Sequence, residues 1–273
     1  MFYDLKTNTY IKNKDSKSLN FLYNSFFGRC FLKVLTTKLI ANTYAKYMNS
    51  SLSKKKIKKF IKQNNIHMDE YEKKEYKSFN DFFIRNIKKD KRKIKDGLIA
   101  VCDSKLSVYR ITKDSKFYIK DSIYSIEELI QEKSNYKYAL IFRLSVDDYH
   151  HYIFPDDGEV IRRKTINGIL HTVQPIAFKK YKVFHENQRE VTFLNCKNLG
   201  NVCYIEVGAM MVGKIVNEDR NIFKKGNEKG HFEFGGSTVI LLIEKNLNIN
   251  SKIIENSEKD IETIVKMGDK LDL

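Results

Sequence analysis

His231-Phe232-Glu233-Phe234-Gly235-Gly236-Ser237-Thr238-Val239-Ile240-Leu241-Leu242-Ile243 is the stretch whose reading decides the fold. It begins polar and glycine-rich and ends as an apolar, β-branched run, the pattern of a tight turn feeding a buried strand. Two adjacent glycines remove the side chains that would block close approach to a backbone carbonyl. The next residue, Ser237, carries a hydroxyl that can attack such a carbonyl if a base takes its proton. A Gly-Gly-Ser tripeptide by itself is usually an ordinary turn, so its meaning rests on the rest of the chain.

Upstream lie further strand signals. Val202-Cys203-Tyr204-Ile205-Glu206-Val207-Gly208-Ala209-Met210-Met211-Val212-Gly213-Lys214-Ile215 reads as an apolar strand pair with glycines at close-packing points. Leu140-Ile141-Phe142-Arg143-Leu144 runs through a polar turn into His150-His151-Tyr152-Ile153-Phe154 and a second turn at Pro155-Asp156-Asp157-Gly158. Adjacent histidines on an extended chain point to opposite faces, so His150 and His151 cannot both serve one site. The pair also lacks the spacing of metal ligands on one face, and no metal is expected. Asp103 ends the apolar strand Leu98-Ile99-Ala100-Val101-Cys102. An acid there is either a turn residue or a buried carboxylate that orients a catalytic histidine.

The first 97 residues read differently. Residues 1–20 are polar and extended in character. From Phe21 onward, Phe26-Phe27, Phe31-Leu32, Val34-Leu35 and Leu39-Ile40 recur at helical spacing with Arg29, Lys33 and Lys38 between them, and Gly28 is a candidate break. Such a helix can lie in a membrane interface or pack on a core; the stripe alone leaves both open. A second helix follows Ser53, a candidate N-cap, with Ile57, Phe60 and Ile61 as its apolar stripe and lysines elsewhere. A third starts at Ser78, with Asp81 in a capping-box position. Tyr124-Ser125-Ile126-Glu127-Glu128-Leu129-Ile130 reads as a short capped helix. The expected fold class is α+β, a helical region over 1–97 followed by a mostly antiparallel β domain over 98–273.

Composition narrows the function classes. The chain has 273 residues, enough for a sizeable core, and a net charge of +16. That charge suggests an anionic partner, nucleic acid or an anionic membrane surface. The basic residues are spread along the chain without a recognition motif, which argues against nucleic acid. Cys30, Cys102, Cys196 and Cys203 form no CxxC pair and read as reduced thiols. No signal peptide and no membrane span is expected.

In combination the motifs resemble the phosphatidylserine decarboxylase family. The quoted stretch, with Lys225-Gly226-Asn227-Glu228-Lys229-Gly230 before it, resembles that family's self-cleavage segment. Ser78-Phe79-Asn80-Asp81-Phe82-Phe83-Ile84-Arg85, the Asp-Tyr-His at 148–150, His171-Thr172-Val173-Gln174-Pro175 and Asn187-Gln188-Arg189-Glu190 resemble its other signatures in order. The resemblance spans about residues 20 to 270. It implies that Asp103 orients His150, that His150 deprotonates Ser237, and that Ser237 attacks the Gly236 carbonyl. The chain would then be cut into a β chain, 1–236, and an α chain, 237–273, whose N-terminus becomes a pyruvoyl group. That cofactor would decarboxylate phosphatidylserine to phosphatidylethanolamine through a Schiff base, because an electron sink must take the charge left at Cα. One departure stands out: Ile153 occupies the place of the family's second histidine, so His150 must act as base, with His171 the next candidate and His151 a third. The implied setting is peripheral, on the cytoplasmic face of an anionic membrane, with a homodimer left open. The competing expectations are a non-processing lipid-surface relative and a pyruvoyl decarboxylase of a soluble amino acid.

Overall fold

The structure is a computed structural model that describes residues 1–12, 17–119, 122–178, 180–210, 214–235 and 237–273. Five helices fill the first third: α1 (Lys17–Asn24), α2 (Phe26–Leu35), α3 (Lys38–Asn49), α4 (Lys55–Gln63) and α5 (Phe79–Phe83). The remainder is mostly antiparallel sheet, so the α+β expectation holds. In chain order the strands are β1 (Phe2–Asp4), β2 (Thr9–Ile11), β3 (Ser104–Arg110), β4 (Lys116–Ile119), β5 (Ser122–Ser125), β6 (Tyr138–Leu144), β7 (His151–Ile153), β8 (Gly158–Ile166), β9 (Arg189–Cys196), β10 (Gly200–Val207), β11 (Ile215–Asn217), β12 (Ile222–Phe223), β13 (Glu228–Phe232), β14 (Ser237–Ile243) and β15 (Glu262–Val265). Short helices α6 (Ile126–Ile130), α7 (Pro175–Phe178), α8 (Val183–Glu186) and α9 (Ser251–Glu258) complete the elements.

The main sheet runs β12-β8-β9-β10-β14-β6-β3-β15-β1-β2. Strand β14 is central, paired antiparallel with β10 on one side and β6 on the other. It is buried on both faces. Val239, Leu241 and Ile243 enter one core with Leu140, Phe142, Leu144, Tyr152 and Phe232, while Ile240 and Leu242 enter a second with Ala139, Ile141, Cys203 and Ile205. Two buried faces explain why the run 239–243 is continuously apolar rather than alternating. A smaller sheet, β11-β13-β7, carries the chain into the glycine segment. The polar first residues are not loose: β1 pairs parallel with β15 and antiparallel with β2 at the sheet edge.

The helical region differs from the sequence reading in two details. The break between α1 and α2 falls at Ser25, whose hydroxyl accepts from Gly28 N at 2.9 Å. Gly28 instead lets the helices meet, since a Cβ there would sit 2.1 Å from the Phe21 carbonyl oxygen. Ser53 does not cap α4. It is buried in a short 3-10 turn, donates to Ser50 O and accepts from Phe79 N at 2.8 Å, tying α5 to the preceding turn. Ser78 does cap α5, accepting from Asp81 N at 3.1 Å. Phe79, Phe82 and Phe83 of α5 join Met48 in a third apolar cluster, against which Ile57, Phe60, Ile61 and Phe234 pack.

Candidate active site

Ser237 is the first residue of β14 and pairs with Leu144 at the end of β6. Leu144 is apolar and fully buried, as is Ser237 itself, so the strand that fixes the nucleophile also dries it. The Ser237 hydroxyl is buried and has no hydrogen-bond partner among the described residues. A buried hydroxyl left unpaired costs about 1–3 kcal/mol, and such groups call for an explanation. Gly235 sits at φ 141°, a backbone state that favours glycine. Gly236, whose carbonyl is the expected point of cleavage, lies outside the described residues, as do 211–213 of the glycine-bearing strand pair.

His150 lies in the turn between β6 and β7. Its Nδ1 is 2.9 Å from the Asp148 carbonyl oxygen, which can only accept, so Nδ1 carries the proton. Nε2 is then a bare acceptor, buried and without a partner among the described residues. Burial lowers the imidazole pKa to about 4, which keeps the ring neutral. The ring packs on Phe83, centroids 4.2 Å apart, and Phe83 packs on Phe234 at 5.1 Å. Two backbone N–H groups tie down the segment that leads to Ser237: Phe232 N donates to His150 O at 3.0 Å, and Phe234 N donates to the Asn80 side-chain Oδ1 at 2.9 Å. The site is thus built from α5, the β6–β7 turn and the β13–β14 turn. The "FNDFF" helix, which the sequence shows only as an aromatic face, supplies its ceiling.

Asp103 is also buried, and its hydrogen bonds go to other groups than His150. Its carboxylate accepts from Arg92 Nε and a second Arg92 nitrogen at 2.9 and 2.7 Å, from Lys266 Nζ at 3.1 Å and from Met267 N at 2.8 Å. Burial opposes its charge, yet Lys266 and Arg92 overcome that and lower its pKa to about 2. These four donors occupy both oxygens, and His150 is not among them. Among the described residues Asp103 makes no hydrogen bond to His150, and the group that holds the ring is the Asp148 backbone carbonyl. The Asp-Tyr-His motif shows Asp148 in the sequence, but not that it holds His150 through its main-chain carbonyl. Its side chain accepts from Lys105 Nζ at 2.6 Å and Ser145 N at 2.8 Å, which fixes the turn.

The alternative bases lie elsewhere. His171 packs on Tyr181 at 4.0 Å and approaches Tyr23 OH at 3.4 Å, in the second core, and burial lowers its pKa. Its backbone is pinned by Asn187, which accepts from His171 N and donates to His171 O. His151 faces away from His150, toward Glu228, with Nδ1 2.7 Å from the carboxylate. Ile153, in place of the family's second histidine, is buried in the first core, its N–H bonded to Val101 O at 2.9 Å. Among the charged residues around this turn, Arg143 makes a bidentate pair with Glu262 at 2.6 Å and 2.6 Å.

Comparison with known proteins bears on this arrangement. The family model described as phosphatidylserine decarboxylase matches residues 79–271. The chain is 50% identical to phosphatidylserine decarboxylase proenzyme 2 of Clostridium acetobutylicum, covering 98% of this chain and 96% of that one. It is 41% identical to the phosphatidylserine decarboxylase proenzyme of Clostridium tetani, over 99% and 97% of the two chains. The corresponding proenzyme of Fusobacterium nucleatum is 39% identical over 93% and 90%. With the match running from the α5 helix through Ser237 to the last strand, this chain belongs to the phosphatidylserine decarboxylase family.

Proposed function

We propose that this chain is a self-processing phosphatidylserine decarboxylase in which Ser237 is the nucleophile and His150 the base. The observation that carries the reading is two buried, unpartnered atoms, Ser237 Oγ and His150 Nε2, on segments joined by the Phe232 N–His150 O bond and by the pairing of Ser237 with Leu144 at the end of β6. A donor without an acceptor and an acceptor without a donor are what a poised nucleophile and base require. In the cleavage step the Ser237 Oγ proton passes to His150 Nε2, Oγ bonds to the Gly236 carbonyl carbon, and the C–N bond to Ser237 breaks as its nitrogen takes a proton. The resulting ester then loses the Ser237 Cα proton. The Cβ–Oγ bond breaks, 1–236 leaves as a carboxylate, and residue 237 becomes dehydroalanine. Water hydrolyses its imine tautomer, releasing ammonia and leaving a pyruvoyl group on the α chain.

The residues present fit that group. Ser237 is held dry at a strand start, with the apolar Phe83–Phe234 wall beside His150. Once formed, the pyruvoyl group supplies the electron sink that decarboxylation needs at the substrate Cα. His150 Nε2 returns a proton to that carbon, and the Asp148 carbonyl keeps the ring aimed while it does so. The two chains stay together because β14 of the α chain lies between β10 and β6 of the β chain.

A phospholipid substrate requires a membrane surface. No helix among the described residues is long and apolar enough to cross a membrane. Helices α2 and α3 instead expose Phe26 (68%), Phe27 (70%), Phe31 (62%) and Leu39 (75%), beside Arg29 and Lys33. That face supports the interfacial reading over core packing, with peripheral binding at an anionic, cytoplasmic membrane face; each lysine near such a surface contributes about 1 kcal/mol. The test is CO2 release from phosphatidylserine in anionic vesicles against free serine, with Ser237→Ala as control. Release from the lipid alone, abolished in the variant, supports the proposal. Release from free serine at equal rate would assign a soluble substrate.

A further inference from the structure

A second cluster of titratable groups lies behind the active-site turn. His151 of β7 and His231 of β13 are direct cross-strand partners, and their rings stack 5.0 Å apart. Glu228 would face the other way on a regular strand, since it lies an odd number of residues from His231. A register shift between Glu228 and Gly230 turns it onto the histidine face. Lys229, the residue at the bulge, is buried and paired with Glu206. One ligand atom from each of His151, Glu228 and His231 falls within 4.8 Å of the others.

The bonding of His151 identifies what the cluster lacks. Its Nε2 lies 3.2 Å from the Ile84 carbonyl oxygen, so Nε2 bears hydrogen. In a neutral ring Nδ1 is then a lone pair, yet it faces Glu228 Oε1 at 2.7 Å. Two lone pairs at that distance repel unless a positive charge lies between them. The third atom, His231 Nδ1, is buried without a hydrogen-bond partner among the described residues, 3.9 Å from the same oxygen. A proton satisfies two of these three atoms; a metal ion satisfies all three. Ligands at the 2.0–2.2 Å zinc distance on a tetrahedron sit about 3.4 Å apart, between the 2.7 and 3.9 Å separations seen. The Ile84 carbonyl behind His151 is the usual outer partner of a metal-ligating imidazole.

We propose that His151 Nδ1, Glu228 and His231 Nδ1 form a site for one zinc-class divalent cation, with a fourth position open to a cavity of about 270 Å³ that Tyr76, Asn86 and Glu218 also line. The ion ties β7 to β13 and both to the end of α5. Phe232, next to His231, donates its N–H to the carbonyl of His150, next to His151, the backbone bond that holds the cleavage segment. The site therefore clamps the segment from outside and touches no reacting atom.

The test uses full-length, untagged, metal-stripped protein carrying Ser237→Ala, which keeps one intact chain, and Cys30→Ser, which removes the exposed thiol. Co2+ is titrated and followed by its visible d–d absorption, then displaced with Zn2+. The expected result is one Co2+ per chain, full displacement by one equivalent of Zn2+, and at least tenfold weaker binding in His231→Ala and in Glu228→Gln, both with the melting temperature of the metal-free parent. No visible band at stoichiometric Co2+, or a band unchanged by both substitutions, would overturn the site.

Discussion

Replacing Asp103 by asparagine separates two roles for this buried carboxylate. In the structure it neutralises Arg92, which is 6% exposed, and Lys266, and it caps Met267 N. Asparagine keeps the shape but turns an amide NH2 toward one of the cations and removes the charge. Breaking a buried ion pair by losing one partner costs about 3–5 kcal/mol. At about 2 °C per kcal/mol for a chain of this size, the melting temperature should fall by ~6–10 °C. The assay is thermal unfolding in the Ser237→Ala background, where no cleavage intervenes. A pH series adds a second check. The folded pKa of Asp103 is about 2, below the ordinary 3.8, so its stabilisation is fully present above the unfolded value and is lost as pH falls toward 2. The gap between parent and Asp103→Asn should be full at pH 6 and narrow as pH approaches 2. A variant that melts within 2 °C of its parent yet leaves the Ser237-containing chain uncut would refute the reasoning and return Asp103 to the chemistry.

Two other perturbations follow from the same contacts. Asn80→Ala removes the acceptor for Phe234 N and should slow self-cleavage about tenfold, the equivalent of one hydrogen bond, in a time course of intact mass from freshly translated chain. Phe27→Ser with Phe31→Ser strips two exposed rings from α2; partition onto anionic vesicles should drop at least tenfold in a sedimentation assay while the circular dichroism spectrum stays unchanged.

Much of this site is legible in the chain because its signals are local. The run 239–243 is apolar at every position since both faces of β14 are covered, and Ser78 announces α5 because a cap needs only its own next three residues. What sequence reading misses is set by distant partners. Asp103 looks like a histidine orienter until Arg92, Lys266 and Met267 arrive from elsewhere in the chain to fill its oxygens. Ser53 has the type of an N-cap, but its hydroxyl is taken by Phe79 N. Strands β1 and β2 are three residues each and carry no periodic signal; residue 262 and its neighbours recruit them. The His151–Glu228–His231 cluster depends on a strand register and a bulge, neither of which spacing along the chain encodes.

The central claim, that Ser237 becomes the pyruvoyl end of a separate α chain, is tested most directly by intact mass of the purified protein before and after hydrazine. The account predicts two chains, 1–236 and 237–273, the smaller lighter than its serine form by one ammonia and shifted by hydrazine, with Ser237→Ala remaining a single chain. A wild-type chain that stays whole after incubation with anionic vesicles, or a cut α chain that keeps an N-terminal serine, would contradict it.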